Sequence, residues 1–314
     1  MRAVVVNEYG GTPVVAEVTT PQPGPGEVLI KLKAAGMNPM DRTLASGDWR
    51  PMPATFPMVL GADGAGVVER VGEGATRFSP GQSVFGQLLI APLGSAGTYA
   101  EYVAVTEDAP LALVPDGLDS VVASALPTAG MAGLSLVELL GPLTGKTALI
   151  VGAGGGVGTV ATQFAVNAGA QVIANVLDAA ADRMRSYGVA ETVDHTATTL
   201  ADAVRKAHPD GIDVLVDLVS EREGFANLSS LVRSGGTAVT TRYVADTDAL
   251  KSAGISGINF ALQSSSCLLD RLADAVVTGR IAAPPITRIS LDDAPAVLSG
   301  GNDRPVEGKT VITL

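Results

Sequence analysis

The chain has 314 residues, 46% of them hydrophobic, with 21 Lys and Arg against 32 Asp and Glu, a formal charge of −11. That length supports two cores, and the apolar fraction excludes a disordered or largely solvated chain. The acidic balance excludes nucleic acid and anionic membrane as principal partners, so an anionic cofactor has to be held by local groups.

Residues 1–122 read as one β-rich domain. Short runs rich in Val, Leu or Tyr at 3–6, 14–18, 27–34, 65–71, 83–87 and 99–105 are separated by Gly and Pro turns such as P-Q-P-G-P-G-E at 21–27, the pattern of a barrel-like fold. Between 123 and 140 a helical periodicity broken at Pro127 leads into a second domain, 123–262. There, strand candidates at 148–151, 171–176, 191–194, 214–218 and 237–241 alternate with helical stretches at 179–187, 200–207 and 225–232. Such alternation predicts an α/β domain with a doubly wound parallel sheet. A helix at 267–278 and the ending G-K-T-V-I-T-L form a last piece, 263–314.

The opening M-R-A-V-V-V-N-E-Y-G is too short an apolar run for a signal peptide, and no later stretch approaches ~18 apolar residues. A cytoplasmic protein is expected. Cys267 is the only cysteine, so no intramolecular disulfide can form, and it is expected as a small core residue. With His195 and His208 it makes too small a ligand set for a catalytic zinc, so no metal is expected.

The most informative stretch is T-A-L-I-V-G-A-G-G-G-V-G from residue 147. An apolar run at 148–151 meets five glycines between Gly152 and Gly158, and Val157, Ala161, Phe164 and Ala168 then recur at helical spacing. The order is strand, tight turn, helix. With no side chains at Gly155, Gly156 and Gly158, a pyrophosphate can approach the backbone, and the free amides of Gly156, Val157 and Gly158 at the helix start can bind its charge. The spacing, Ala153-x-Gly155-x-x-Gly158, departs from the standard fingerprint.

The segments A-A-G-M-N-P-M-D at 34–41, G-A-D-G-A-G-V-V-E-R-V-G at 61–72, F-S-P-G-Q-S-V-F-G at 78–86, G-T-Y-A-E-Y-V at 97–103 and L-P-T-A-G at 126–130, followed by the glycine turn, carry a family resemblance. In this order the chain resembles the quinone oxidoreductase branch of the medium-chain dehydrogenase/reductase superfamily, the zinc-free branch that includes ζ-crystallin. The resemblance implies a GroES-like catalytic domain rejoined by residues 263–314, an inserted Rossmann domain, and a nicotinamide cofactor in the cleft. Zinc-dependent relatives carry a Cys and a His-Glu pair in the first two segments. Here those segments offer Asn38 and Asp41, then Ala62 and Asp63.

Site residues follow from the resemblance, each beside a plainer reading. Asn38 is the candidate donor to an acceptor oxygen, or else a turn residue before Pro39. Asp41 braces the loop or the cofactor ribose, and Asp63 is functional or structural. Thr128 lies near the nicotinamide or caps a helix. Tyr99 lines the cleft or is a half-buried strand residue. Trp49 stands where many relatives have a Tyr; indole cannot act as a general acid, so it is read as a flat wall for a planar substrate or as loop packing. Asn175, at the place of the acid that selects NAD, leans the cofactor towards NADPH, with NADH the alternative. Leu177, Asp178 and Ala179 supply no phosphate ligand, so Arg183 and His195 are the compensating candidates, with Arg242 a further one. Asn259 and Phe260 fall where the family passes a backbone segment by the nicotinamide, or form an edge strand that pairs two copies into a homodimer.

The activity this implies is hydride transfer from NADPH to a quinone or α,β-unsaturated carbonyl, with the final proton from water. Two alternatives stay open: an enoyl-thioester reductase, and an NADPH-binding redox sensor without turnover.

Overall fold

A long and mostly buried strand at Glu27–Gly36 is the centre of the first part of the chain. The computed structural model describes residues 1–194, 196, 199–300 and 307–314, and the candidate His195 lies outside them. The chain divides into unit 1, Met1–Met131 with Ser264–Leu314, and unit 2, Ala132–Gln263. The first boundary thus falls later than the expected 122/123. It lies inside a helix that starts at Pro127 and continues without a break.

Unit 1 opens with β1 (Arg2–Val6), β2 (Val14–Glu17), β3 (Glu27–Gly36), α1 (Pro39–Ser46), β4 (Met58–Val59), β5 (Asp63–Val71), β6 (Ser83–Gln87), β7 (Tyr102–Thr106), β8 (Leu111–Leu113) and α2 (Ser120–Ala125). Helix α3 (Pro127–Leu140) carries the chain into unit 2. There follow β9 (Thr147–Val151), α4 (Gly156–Asn167), β10 (Gln171–Asn175), a 3-10 turn at Asp178–Ala180, α5 (Ala181–Ser186), β11 (Glu191–Val193) and α6 (Leu200–Ala207). Unit 2 ends with β12 (Ile212–Asp217), α7 (Arg222–Ser229), β13 (Val232–Thr240), α8 (Thr247–Ser252) and β14 (Ser256–Asn259). The chain returns to unit 1 as α9 (Ser266–Val277), β15 (Ile286–Ser290), α10 (Ala294–Leu298) and β16 (Lys309–Thr313).

In unit 1, β1 pairs with β2 and β4, while a larger sheet runs β15-β16-β3-β5-β6-β8 with β7 also on β3. Register matters most at the end of β3. Gly36 faces Asp63 of β5 on one side and Val311 of β16 on the other, and the Met37 amide donates to the Thr310 carbonyl. Three distant segments therefore converge where β3 hands over to α1. A Cβ at Gly36 would lie 2.2 Å from the Ser124 carbonyl oxygen, so the absent side chain lets α2 sit directly on the strand.

Unit 2 is a six-stranded sheet ordered β11-β10-β9-β12-β13-β14, and its pairings are parallel. Renumbered from β9 this is 3-2-1-4-5-6, the doubly wound order, with the switch between β9 and β12. Ile150, Val172, Val214 and Val239 fill one core, and Leu149, Ile173, Leu215 and Phe225 the other. Strands buried on both faces read as apolar runs without alternation.

Three expectations are corrected. The helix placed at 225–232 ends at Ser229, because Val232 pairs with Ile212 and already belongs to β13. The strand placed at 99–105 starts at Tyr102, since Tyr99 and Ala100 bridge towards β1 instead. Cys267 is exposed, not core: α9 buries Leu269, Leu272, Ala273 and Ala275 and turns its first residues outward. Among the described residues no helix is long and apolar enough to cross a membrane.

At Gly158 a Cβ would lie 2.2 Å from the Gly152 carbonyl oxygen and 2.6 Å from the Ala153 Cα, both backbone atoms. Gly158→Ala therefore has to push α4 off the end of β9. It is expected to cost about 1–3 kcal/mol in a urea titration. Unchanged stability would show that the turn yields freely.

Candidate active site

The end of β3 feeds α1 through Asn38, whose extended backbone precedes Pro39 at the helix start. Around it unit 1 gathers a cluster of polar groups that are almost closed to solvent: Asp63 is 0% exposed, Asp41 1%, Lys309 4% and Asn38 8%. Asp63 is its hub. It accepts from Asn38 Nδ2 at 2.9 Å, from the Thr128 amide at 3.0 Å and from Thr128 Oγ1 at 2.6 Å, and Lys309 Nζ stands 3.8 Å away. Lys309 donates to the Met37 carbonyl and to Asn38 Oδ1, each at 2.6 Å.

Two branches leave this hub. Gln87 Nε2 donates to Thr128 Oγ1 at 2.6 Å, and Ser264 Oγ donates to Gln87 Oε1 at 2.5 Å. Asp41 makes the second branch: one of its oxygens accepts from the Asn38 amide at 2.7 Å and from the Tyr99 hydroxyl at 2.5 Å. Asp41 braces the start of α1, and Tyr99 is a fully buried partner of Asp41, not a half-buried strand residue. Thr128 does not cap its helix; Asp63 does, through the Thr128 amide. The single Thr128 hydroxyl hydrogen goes to Asp63, so none is left for a substrate.

In unit 2 the glycine turn joins β9 to α4, with Gly155 as N-cap. The first-turn amides of Gly156, Val157 and Gly158 have no preceding carbonyl to bind, so they are open to an anion. A Cβ at Gly155 would meet only the Gly152 oxygen, at 3.5 Å, and one at Gly154 would meet Val176 Cγ1 at 3.5 Å and Arg183 Nη2 at 4.0 Å. The tip of the turn is open, as close approach by a pyrophosphate requires, and the Arg183 guanidinium stands beside it, with Nη1 3.4 Å from Thr159 Oγ1. A cavity of about 440 Å³ lies at the carboxyl ends of the strands, lined by Val151, Asn175, Val219, Ser220 and Asn227 among others.

The other expected residues are more dispersed. Asn175 is buried, with Nδ2 on the Val193 carbonyl at 3.1 Å. The Asn259 side chain brackets the backbone of Ala245, accepting at 3.0 Å and donating at 3.1 Å, while Phe260 is buried in the core. Arg242 pairs with Glu221 at 2.5 Å. Trp49 is 45% exposed in unit 1. Lys309, Gln87 and Ser264 had no local signal in the sequence.

Burial acts against every charge in the hub. It pushes the Asp63 carboxyl up, against the opposing pull of Lys309, Thr128 and Asn38, and pushes the Lys309 ammonium down, against Asp63 and Asp41. Burial also lifts Asp41 from 3.8 to about 7, with Asp63 adding to the rise while the Tyr99 and Asn38 bonds oppose it. The other Asp41 oxygen, Oδ1, is buried without a partner. Because the folded state favours the protonated form, this contribution to stability is complete below 3.8 and is lost as the pH rises through about 7. The difference corresponds to roughly 4 kcal/mol. Asp41→Asn cannot ionise, so its melting temperature is expected to change less than wild type between pH 5 and 8. Parallel curves would place the titration elsewhere.

Comparison with known proteins bears on both units. The chain matches the alcohol dehydrogenase GroES-like domain over residues 24–116 and the zinc-binding dehydrogenase domain over residues 156–269. It is 30% identical to a 2-methylene-furan-3-one reductase of Solanum lycopersicum, over 90% of this chain and 70% of the relative. To the quinone oxidoreductase of Homo sapiens it is 31% identical, over 75% and 71% respectively. Among solved structures, a Pseudomonas syringae quinone oxidoreductase aligns with a TM-score of 0.87 at 26% identity, covering 100% of this chain and 99% of the other. A mycobacterial protein complexed with NADPH aligns at 0.85 and 27%, covering 100% of both. On the fold, the glycine turn and these relatives together, the chain belongs to the quinone oxidoreductase branch of the medium-chain dehydrogenase/reductase superfamily.

Proposed function

We propose that the protein is a zinc-independent, NADPH-dependent reductase that delivers hydride to a quinone or an α,β-unsaturated carbonyl. The observation that carries this reading is the glycine turn on the first strand of a 3-2-1-4-5-6 sheet, open at its tip and flanked by Arg183. The acceptor class is supported by relatives named as quinone oxidoreductases and as an NADPH-dependent alkenal/one oxidoreductase. In this reading the first-turn amides of α4 hold the pyrophosphate, and the cavity at the strand ends takes the adenosine half. Gly154 abuts Val176, just beyond β10, so Arg183 stands between the turn and the place where a 2′-phosphate would lie. It offsets Asp178, whose amide is held by the carboxylate of Asp194.

The hub does not suit zinc. The donors gathered at the hub are an amide, a carboxylate and an ammonium, and Lys309 holds the position beside them that a metal cation would need. Among the described residues no three His, Cys, Asp or Glu side chains are placed to hold a metal.

When bound, the nicotinamide supplies the hydride. The chain's own part is to bind and polarise the acceptor. Asn38 offers an amide N-H to the oxygen that gains negative charge, and Trp49 offers an exposed flat face to a planar ring. Lys309 and Tyr99 are closed to solvent, and the Tyr99 hydroxyl hydrogen is taken by Asp41, so in this reading the proton that completes reduction comes from water. The acidic charge and the absence of a membrane-crossing helix among the described residues support a cytoplasmic enzyme that binds neither nucleic acid nor membrane. The place of β14 at the sheet edge supports a homodimer formed by strand pairing.

The first test is dinucleotide titration followed by addition of a planar ortho-quinone or an enone. NADPH is expected to bind at least ~10-fold more tightly than NADH, about 1.4 kcal/mol, and to be oxidised. No oxidation by any quinone or enone would overturn the assignment, and higher turnover of an enoyl thioester would redirect it. Arg183→Gln is expected to weaken NADPH about 10-fold while changing NADH less than 3-fold, consistent with loss of one charge-assisted contact. Equal loss for both nucleotides would assign Arg183 to the pyrophosphate.

A further inference from the structure

Lys309 begins the final strand of the chain, 271 residues after Asn38, yet their side chains meet at 2.6 Å. On the other side of the same amide, Asn38 Nδ2 donates to Asp63 at 2.9 Å. The amide is therefore held between two buried groups of opposite charge. An ammonium only donates and an ionised carboxylate only accepts, so these two groups dictate which way round the amide sits. Its oxygen must face Lys309 and its nitrogen Asp63. Rotation by half a turn would set NH2 against the ammonium and C=O against the carboxylate. Two charge-assisted hydrogen bonds would become two repulsions, with almost no solvent to relieve them.

A plain ion pair needs none of this. Lys309 stands 3.8 Å from Asp63, longer than a hydrogen bond, and spends its short contacts on the Asn38 side chain and the carbonyl of neighbouring Met37. It grips Asn38 more closely than it grips the acid. The amide nitrogen has two hydrogens, and Asp63 takes one. With the oxygen fixed inward by Lys309, the second stays on the nitrogen as a donor of defined direction, and it is polarised by the carboxylate contact on one side and the cation on the other.

We propose that Lys309 is a positioning residue, which locks the Asn38 amide so that its remaining N-H is the donor to the acceptor oxygen. This rests on the role given to Asn38 above. The simpler alternative is that Lys309 only neutralises Asp63. The two part company when both charges are removed together.

Lys309→Met alone leaves a buried carboxylate unpaired, and its loss of stability would hide any effect on turnover. The deciding variant is therefore the full-length double variant Lys309→Met/Asp63→Asn, which keeps the volumes, removes both charges and is read against Asp63→Asn alone, which keeps Lys309 on the amide oxygen and is expected to hold more of the wild-type kcat. Its melting temperature is expected to return to within a few degrees of wild type. Its kcat with a quinone acceptor is expected to stay at least 10-fold down, with KM for NADPH within 2-fold of wild type. Lys309→Arg, which can still only donate, is expected to keep at least a third of wild-type kcat. A double variant with wild-type stability and wild-type kcat would overturn the proposal in favour of charge balance.

A readout independent of turnover is the Asn38 side-chain NH2 pair in a 15N-labelled sample, assigned by its loss in Asn38→Ala. One fixed pair is expected in wild type and in Lys309→Arg, and a shifted or exchange-broadened pair in the double variant. An unmoved pair in the double variant would sink the idea, and so would a displaced pair in Lys309→Arg, which decides the matter should the double variant not fold. If none of the quinones or enones oxidises NADPH with wild type, the functional assignment fails, while these signals still decide whether Lys309 fixes the amide.

Discussion

Unit 1 depends on the full satisfaction of one carboxylate that has no contact with solvent. Asp63 takes three hydrogen bonds and faces an ammonium, and its partners come from three other stretches of chain, at 38, 128 and 309. Burying such a pair costs several kcal/mol per ion before any attraction is counted, and good hydrogen bonding at best offsets that. The cluster is thus a poor source of net stability. What it supplies is geometry, because each partner has only one arrangement that leaves no charge bare.

The same line of bonds reaches both passages of the chain out of unit 1. Thr128 lies shortly before the end of its first segment, and Ser264 is the first residue of its second. Gln87 ties the two together, from Thr128 Oγ1 to Ser264 Oγ. Asp41 stands apart from this line. It fixes the backbone of Asn38 while Asp63 and Lys309 fix the side chain. Asn38 is therefore constrained at its amide N-H, its side-chain nitrogen and its side-chain oxygen by three different titratable groups. The division explains why two acids are needed there: one holds the start of α1, and the other sets the direction of the amide.

Most of the fold was legible because parallel strands buried on both faces announce themselves as apolar runs. The strand at 83–87 and the helix at 200–207 have the expected ends. Errors arose where pairing overrode local pattern, as at Val232, which joins β13 through its partner Ile212. Asn38, Asp63 and Thr128 were visible because each sits in a local motif. Lys309 was not, since G-K-T-V-I-T-L reads only as a strand, and its importance comes from the β3-β16 register that sets Thr310 against Met37. Gln87 and Ser264 were hidden for the same reason. Cys267 was misread even though its signal was present: the α9 positions at 269, 272 and 273 already define a buried face that excludes it.

The two units solve one problem in different ways. A chain of formal charge −11 is asked to hold an anionic cofactor and to stabilise negative charge on an acceptor, with few cations to spend on either. In the proposed reading unit 2 answers with neutral backbone amides at the start of α4, whose partial charge is indifferent to the net charge of the protein, and with Arg183 at the edge of the turn. Unit 1 answers with a neutral amide backed by a buried cation. An exposed lysine would be hydrated and mobile, and it would give up part of its effect in reorganising as charge develops. Placed behind Asn38 at 4% exposure, Lys309 has already lost its water on folding. The cost of desolvation is met by the fold, and in the proposed reading the group presented to the acceptor is a donor fixed in direction before the reaction begins.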